Sequence, residues 1–497
     1  MENLGITLQD YANFGQGFGS ASQQEVQDLM KAMMAEEITG RDTTNLTTAS
    51  GAPLKVESLE ATLKILTNTE RDIVFWKMLP KLPAYNTVEE YNQLASYGVD
   101  GAAFTNEGEL PESVDSQYVR RAQLVKFMGS TREVTHPMQL VSTMVGDMIK
   151  RETINGTQWV LRQLEKALPF ADSAKVPQEF NGLFSQHFTA FNDTLDNYQN
   201  STTVVDLRGN ALSDAAVESA VESINVNYGF ADKIIAPPIV FSNYVKQFHG
   251  SKLIQPNTQQ VTAGIMGQKV VGITTQFGDI AVVDDKFWKS NPSRIIGSAA
   301  TNVKAPNAPL AGGTSALASD TNNRFVNFIG DYYYAVAAKN RYGESTLQQI
   351  GSSSGLVVTA GNSVNLTFQD GGGAYPATAY VIYRSTVNPN TAIGVTQLYP
   401  IFTVAVSDLS AGYDGAAAGS VWDRNRYISN TEQALVCEMN DQILSFKQLA
   451  PLMKMDLAVL SPSTRFMVLL YGTPILYAGL KVTRIINIGS ILVSPTP

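Results

Sequence analysis

The chain has 497 residues, 44% of them hydrophobic and only 16% charged, with a formal net charge of −9. That length allows about three domains, and the negative balance argues against a dedicated nucleic-acid binder, which needs clustered Lys and Arg against phosphates, though not against a container that avoids sticking to nucleic acid. Cys437 is the single cysteine, so no intrachain disulfide and no CxxC zinc site can form, and it reads as a structural thiol. The N-terminus lacks the basic and long apolar regions of a signal peptide, and no stretch approaches about 18 uninterrupted apolar residues, so neither secretion nor a membrane span is expected. Few charges with many Asn, Gln, Ser and Thr fit large surfaces buried against neighbours, and fit a merely polar surface equally well.

Residues 1–50 are rich in Gly, Ser, Gln and Thr. Within them Val26, Leu29, Met30, Met33 and Met34 fall on one helical stripe, and 58–66 reads as a second short helix. A single short helix is marginal alone, so 1–84 reads as an arm that needs a partner surface, leading into a peripheral domain. Residues 85–135 form a long polar excursion. Between Gly98 and Asp115 glycines, a proline and five acidic residues discourage a helix, while 88–95 and 117–134 look extended. A long two-stranded hairpin is expected, and such a ribbon buries little within itself and should lie on something.

The best helical pattern in the chain spans 143–168, with Met144, Val145, Met148, Ile149, Val160, Leu161, Leu164, Ala167 and Leu168 in phase and Pro169 as its stop. At 1.5 Å per residue it would be about 39 Å long. Asp147 and Arg151 form an i,i+4 pair of opposite sign, while Gly146 and Gly156 weaken the helix, so packing must hold it and a bend near Gly156 is expected. A second helix, 214–228, places Val217, Ala220, Val221 and Ile224 on one face, with Gly229 as its stop. Then come a buried strand at 233–240, a helix at 241–248, and strands at 269–275 and 278–284. Helices alternating with strands give a mixed α+β domain over 136–301.

Residues 302–420 differ. Gly, Ala, Ser and Tyr rise, and helical periodicity vanishes. Tyr332, Tyr334, Val336 and Ala338 alternate with a second set, and Asn340 to Gly343 supply a turn. Candidate strands at 331–339, 355–360, 363–368, 378–384 and 401–406 predict an all-β sandwich, with linkers at 305–309 and 411–419. From 421 to 497 the mixed pattern returns, with apolar runs at 455–459 and 467–477 and a closing strand at 481–488.

Catalytic chemistry is mostly missing. His136, His187 and His249 are not at metal-ligand spacing. The glycines at 15–19 have no strand before them and no Lys-Ser/Thr after them, so a flexible arm is the better reading than a phosphate loop. Gly371, Gly372 and Gly373 read as a hairpin loop, and Asp284-Asp285 as a solvated strand end rather than a carboxylate pair for metal or acid–base work. No Gly-x-Ser-x-Gly elbow occurs. No enzyme activity, cofactor or metal is expected. The acidic set Asp100, Glu107, Glu109, Glu112 and Asp115 is open to three readings: a solvated face, a cation site, or a contact with basic residues of a neighbouring subunit.

Two resemblances follow from these patterns. The tyrosine strand and turn at 332–345 resemble those of a fibronectin type III or immunoglobulin-like sandwich, although that strand normally comes late and here precedes 364–368 and 378–384, as if permuted. The order of arm, long hairpin, long helix, α+β domain and closing strands resembles the major capsid protein of tailed bacteriophages, the Hong Kong 97-type fold. Residues 101–112 with 123–134 look like its extended loop, and 143–168 like its spine helix. Residues 212–238, with Tyr228-Gly229 and Ile234-Ile-Ala-Pro237, look like the core of its axial domain. Residues 275–288, with Phe277-Gly278 and Asp284-Asp285, look like later strands of that domain, and 468–488, with Tyr471-Gly472, like the family's C-terminal end.

The resemblance implies an α+β capsid fold with an inserted all-β immunoglobulin-like sandwich. It implies self-assembly into hexamers and pentamers of an icosahedral shell, built in the host cytoplasm around the phage double-stranded DNA without specific binding to it. The implied partners are other copies of the chain, separate portal and scaffolding proteins, and decoration proteins or weak surface glycans at an outward-facing sandwich; no membrane is implied. The start at Met1 and the short arm favour a separate scaffold, or none, over a cleaved scaffold segment. The inter-subunit contacts expected are Phe104 and Leu110 as apolar anchors and Glu107, Glu109 and Glu112 as charges, with Lys150, Arg151 or Arg162 as partners. A different class, a secreted adhesin or carbohydrate-binding protein with a fibronectin-like module, is the alternative; the missing signal peptide and the mid-chain position of the module count against it. Some relatives weld subunits by an isopeptide bond from an extended-loop lysine, but this chain has no lysine between Lys81 and Lys126. Denaturing gels of intact particles should therefore show one band near 53.9 kDa, and a ladder of covalent multimers would contradict this.

Overall fold

The computed structural model describes residues 69–98, 104–110, 112–140, 147–190, 203–248, 271–289, 292–389, 391–458 and 461–490. The glycines at 15–19, the helical stripe at 26–34, the helix at 58–66, Asp100 and His249 lie outside them. The described residues all belong to one compact unit, Ile65–Val141 with Asp147–Pro497.

The first sheet is built on Ser463–Leu476, where Phe466, Val468 and Leu470 alternate into the core at the strand period of two. Its antiparallel neighbours are Leu444–Asp456 and Lys126–Thr135, and Lys81–Pro83 adds a parallel edge. The long helix, Met148–Phe170, packs on this sheet. Its N-cap is Asp147, whose carboxylate accepts the N–H of Ile149 at 2.9 Å and of Lys150 at 3.4 Å. The carboxylate therefore caps the helix instead of pairing with Arg151. The expected first turn at 143–146 lies outside the described residues. Pro169 does not stop the helix, which runs on to Phe170 and closes with Ala171 N–H on the Ala167 carbonyl at 2.9 Å. A proline so close to the end removes only a terminal bond. Gly156 serves close approach: a Cβ there would sit 3.2 Å from Val468 Cγ2 and 3.4 Å from Arg132 Cγ.

Val160, Leu164 and Leu168 from this helix meet Phe446, Phe466 and Val468 in one core. Phe75 sits edge-on to Trp288 at 4.9 Å and Trp76 edge-on to Phe446 at 4.6 Å, contacts worth about 0.5–1.5 kcal/mol each beyond the area they bury.

The second sheet has the order Val204–Asp206, Val482–Ile488, Glu432–Cys437, Lys233–Ala236, Gly278–Asp284, Gly272–Thr275. Ile235, Leu435 and Val482 face the first core. Ile234, Val436 and Ile485 face a second core against the helices Asp214–Val226 and Pro238–Phe248. Ser213 Oγ caps the first of these helices by accepting Ala216 N–H at 3.3 Å. That helix ends two residues short of the expected 228. The left-handed turn falls on Tyr228, with φ 59°, and Gly229 N–H bonds the Ile224 carbonyl at 3.0 Å.

A third core lies between two further sheets. One contains Thr314–Ser319, Asn362–Thr367 and Ser420–Asp423. The other contains Gly343–Glu344, Tyr334–Asn340, Ala379–Arg384 and Tyr399–Ala405, with Gln348–Ile350 also on Tyr334–Asn340. The continuous strand expected at 331–339 is two strands, because Gly330–Tyr332 pairs with Leu356–Val358 while Tyr334–Asn340 pairs with Ala379–Arg384. Tyr334, Val336 and Ala338 face this core, and Ala335 and Ala337 face Leu347 and Leu398 on the other side, so the tyrosine strand is buried on both faces. The unit also exceeds the expected 302–420: its last strand reaches Asp423, and Arg294 bridges Leu398 and pairs with Glu344 at 3.3 Å. The Gly371–373 loop is not a hairpin. It joins strands of different sheets, and a Cβ on Gly371 would lie 1.9 Å from the Ala308 carbonyl oxygen.

Arg384 is 1% exposed. Its guanidinium bonds Asp423 at 2.6 Å, Asn425 Oδ1 at 2.7 Å, the Tyr427 carbonyl at 2.9 Å and Ser429 Oγ at 3.1 Å. Tyr334 donates its hydroxyl to the same Asp423 carboxylate at 2.9 Å. Removing one partner of such a pair strands a buried charge, at about 3–5 kcal/mol. Asp423→Ala should therefore make 302–420 the first region cut in limited proteolysis; a wild-type cleavage rate would show that the pair does not hold this unit together.

Candidate assembly surface

The ribbon joins Val88–Ser96 to Gln117–Leu124 in antiparallel register, with Tyr91 opposite Arg121 and a bulge between Leu94 and Ser96. The extended stretch expected at 117–134 divides at Val125, which is buried and donates its N–H to the Thr87 carbonyl at 2.8 Å. Beyond it, Lys126–Thr135 leaves the ribbon for the first sheet. The base is well held. Tyr91 stacks edge-on to Tyr477 at 5.0 Å. Gln93 donates to the Tyr477 carbonyl and accepts from Arg121 Nε at 2.8 Å. Lys126 Nζ bonds the Pro177 carbonyl at 2.6 Å, and Asn181 Nδ2 reaches Gln123 Oε1 at 3.2 Å.

The tip is the opposite. Phe104 is 99% exposed and Leu110 93%. Glu109 is engaged locally, accepting Asn106 N–H at 3.2 Å and Nδ2–H at 2.8 Å. Glu107 and Glu112 are exposed and enter no ion pair among the described residues. On the long helix Lys150 is exposed. Arg151 and Arg162 are half-buried, each with an Nε–H that finds no acceptor among the described residues. Lys166 follows Arg162 by one turn; burial, then the Arg162 charge, lowers its ammonium from the ordinary lysine range. Within one chain no described ion pair or hydrogen bond joins the acidic tip to this basic face.

Two features escaped the sequence. Tyr97 and Tyr118 are largely exposed on the ribbon, which strand alternation could not show because neither ribbon face is covered by a core. Asp285 is not solvated. Asp284 is exposed, but Asp285 is fully buried and approaches Glu165 of the long helix. Glu165 in turn accepts backbone N–H groups of Val74, Phe75 and Trp76 at 2.8, 2.6 and 2.9 Å. An acidic residue flanked by Leu161, Leu164 and Leu168 was the available signal.

His187 is buried with Nε2 3.1 Å from the Val482 carbonyl, and desolvation, then Arg484, lowers its pKa to about 3. Burial pushes the Cys437 thiol up to about 12, so it stays protonated and unreactive. No group of His, Cys, Asp and Glu among the described residues is placed to hold a metal ion. No described helix is long and apolar enough to cross a membrane. An open hollow of about 430 Å³ lies beside Arg208, Arg324 and Phe328.

A family model described as the SU10 major capsid protein matches residues 38–303. The chain belongs to that family. It is similar to the major capsid protein of Staphylococcus phage S25-3, 24% identical over 509 residues and covering 99% of both chains, and to that of Staphylococcus phage K, 24% identical over 510 residues with the same coverage. Among solved structures it is similar to the capsid of a native GTA particle, with TM-score 0.46 at 7% identity over 90% of this chain and 99% of that one. Membership makes the chain a phage major capsid protein, a structural component of the virion. The adhesin alternative falls with that match. Since Phe104 and Leu110 are almost fully exposed among the described residues, Phe104→Ser with Leu110→Ser should leave the unfolding midpoint of the unassembled chain within roughly 2 °C of wild type; a larger drop would show that the tip packs within its own chain.

Proposed function

We propose that the chain has the Hong Kong 97-type arrangement and that its copies form hexamers and pentamers which close an icosahedral shell around the phage double-stranded DNA. The observation that carries this is the ribbon. Its base is bonded to the body, yet its tip presents Phe104, Leu110, Glu107 and Glu112 to solvent. Burying each of the two apolar side chains on a neighbour would contribute about 1.5–3 kcal/mol. Lys150, Arg151 and Arg162 supply charges of the sign that Glu107, Glu109 and Glu112 need, and a neighbouring copy brings the two sets together. Such head-to-tail contacts generate closed rings.

The net charge of −9 suits a wall that does not hold the packaged DNA. The two-sheet unit is the inserted immunoglobulin-like sandwich, and it faces outward because an inward domain would consume packing volume. There it is open to decoration proteins or weakly bound surface glycans. Separate scaffolding and portal proteins complete assembly in the host cytoplasm. Deleting 100–113 should leave a folded chain that fails to close shells. Particles of normal shape from that deletion, seen by electron microscopy, would refute the ribbon's role.

A further inference from the structure

The buried meeting of Glu165 and Asp285 is unused by the ribbon contacts and has a chemistry of its own. The two carboxyl groups face each other in the core and both are fully buried, and two charged carboxylates sharing one buried site repel, so one of them keeps its proton. Glu165 is the acceptor, because its two oxygens already take three backbone N–H bonds, from Val74, Phe75 and Trp76. Asp285 uses Oδ1 to accept the Phe287 N–H at 2.8 Å, and among the described residues no N–H or O–H reaches its buried Oδ2. The geometry points to a proton latch: Asp285 is a carboxylic acid that donates to the Glu165 carboxylate, tying the turn after Gly278–Asp284 to the long helix and to the chain segment that leads into the ribbon.

The location gives the latch a consequence. Trp76 lies in the short helix Phe75–Met78, and the next elements are Lys81–Pro83 on the first sheet and the ribbon strand Val88–Ser96. Loss of the proton places two negative charges face to face beside Phe75 and Trp288, and so loosens the root of the ribbon from the helix beneath it. Among the described residues no cation forms an ion pair with either carboxyl group. Lys286 is bound to Asp72, Lys166 lies over the Phe287 ring at 6.0 Å, and Lys77 pairs with Glu70. Asp284 is the further charge acting on Asp285, and it pushes the same way. His187 on the adjoining helix Leu183–Ala190 and Cys437 in the same core keep one charge state across the working range, since they titrate near 3 and 12.

Burial, and then the facing Glu165, displaces Asp285 from 3.8 to about 8. Burial pushes Glu165 upward too, opposed by its three N–H donors. The folded chain therefore holds a proton that the unfolded chain has released. The stability this supplies is complete below about pH 4 and declines as pH rises toward 8. The latch does not depend on where the ribbon tip docks.

Asp285→Asn keeps the shape and a donor toward Glu165 but cannot ionise. Thermal unfolding of the full-length chain should give similar midpoints for wild type and D285N near about pH 5, with wild type lower by roughly 5 °C near about pH 9. Parallel profiles would overturn the latch. Difference infrared spectroscopy of wild type gives an independent reading if D285N folds poorly. A protonated-carboxyl stretch should persist at neutral pH and vanish as pH passes 8, and its absence at neutral pH would overturn the proposal.

Discussion

The strand Val482–Ile488 is buried along its whole length and serves two cores at once. Val482 faces the aromatic core under the long helix, while Ile485 and Ile488 face the helices Asp214–Val226 and Pro238–Phe248. Its neighbours in the sheet are Val204–Asp206 and Glu432–Cys437. A strand covered on both faces must find backbone partners on both edges and bond partners for its buried polar side chains, as Arg484 does at Gln433 and Asn487 at Asp206. That requirement draws together segments from before and after the two-sheet unit, which is why the chain can depart at about 292, build a separate core, and return near 432 without breaking the body.

The same logic explains the contrast between the base and the tip of the ribbon. A two-stranded ribbon has no core of its own. Where Tyr91 meets Tyr477 and Gln93 meets Arg121 and the Tyr477 carbonyl, the body supplies the missing partners. Beyond the bulge at Leu94 none of the described body residues does so, and Phe104 and Leu110 stand in solvent. A single chain that spends apolar side chains in this way is incomplete by itself, as a capsid subunit is.

Much of the body was legible in the sequence because amphipathic periods survive folding. Val160, Leu164 and Leu168 are core residues, as are Val217, Val221 and Ile224, and alternation marked Tyr334 and Val336. The ends of elements were less legible, for local reasons. Asp147 caps the long helix instead of pairing with Arg151, Pro169 fits inside its last turn, and Tyr228 rather than Gly229 takes the left-handed turn. The candidate contact residues were named from composition and charge; their exposure is a fact of tertiary structure, and no described bond joins the two charged sets within one chain.

The sequence alone determined the classes of local structure, the long polar excursion and the scarcity of catalytic groups, since these depend on residue type and spacing along the chain. Only the tertiary structure decided which side chains share a site. Glu165 and Asp285 are 120 residues apart, and Arg384 and Asp423 lie on strands of different sheets. Burial turns both pairs from ordinary surface charges into groups that must be satisfied by a partner, and no spacing in the chain announces where that partner will be.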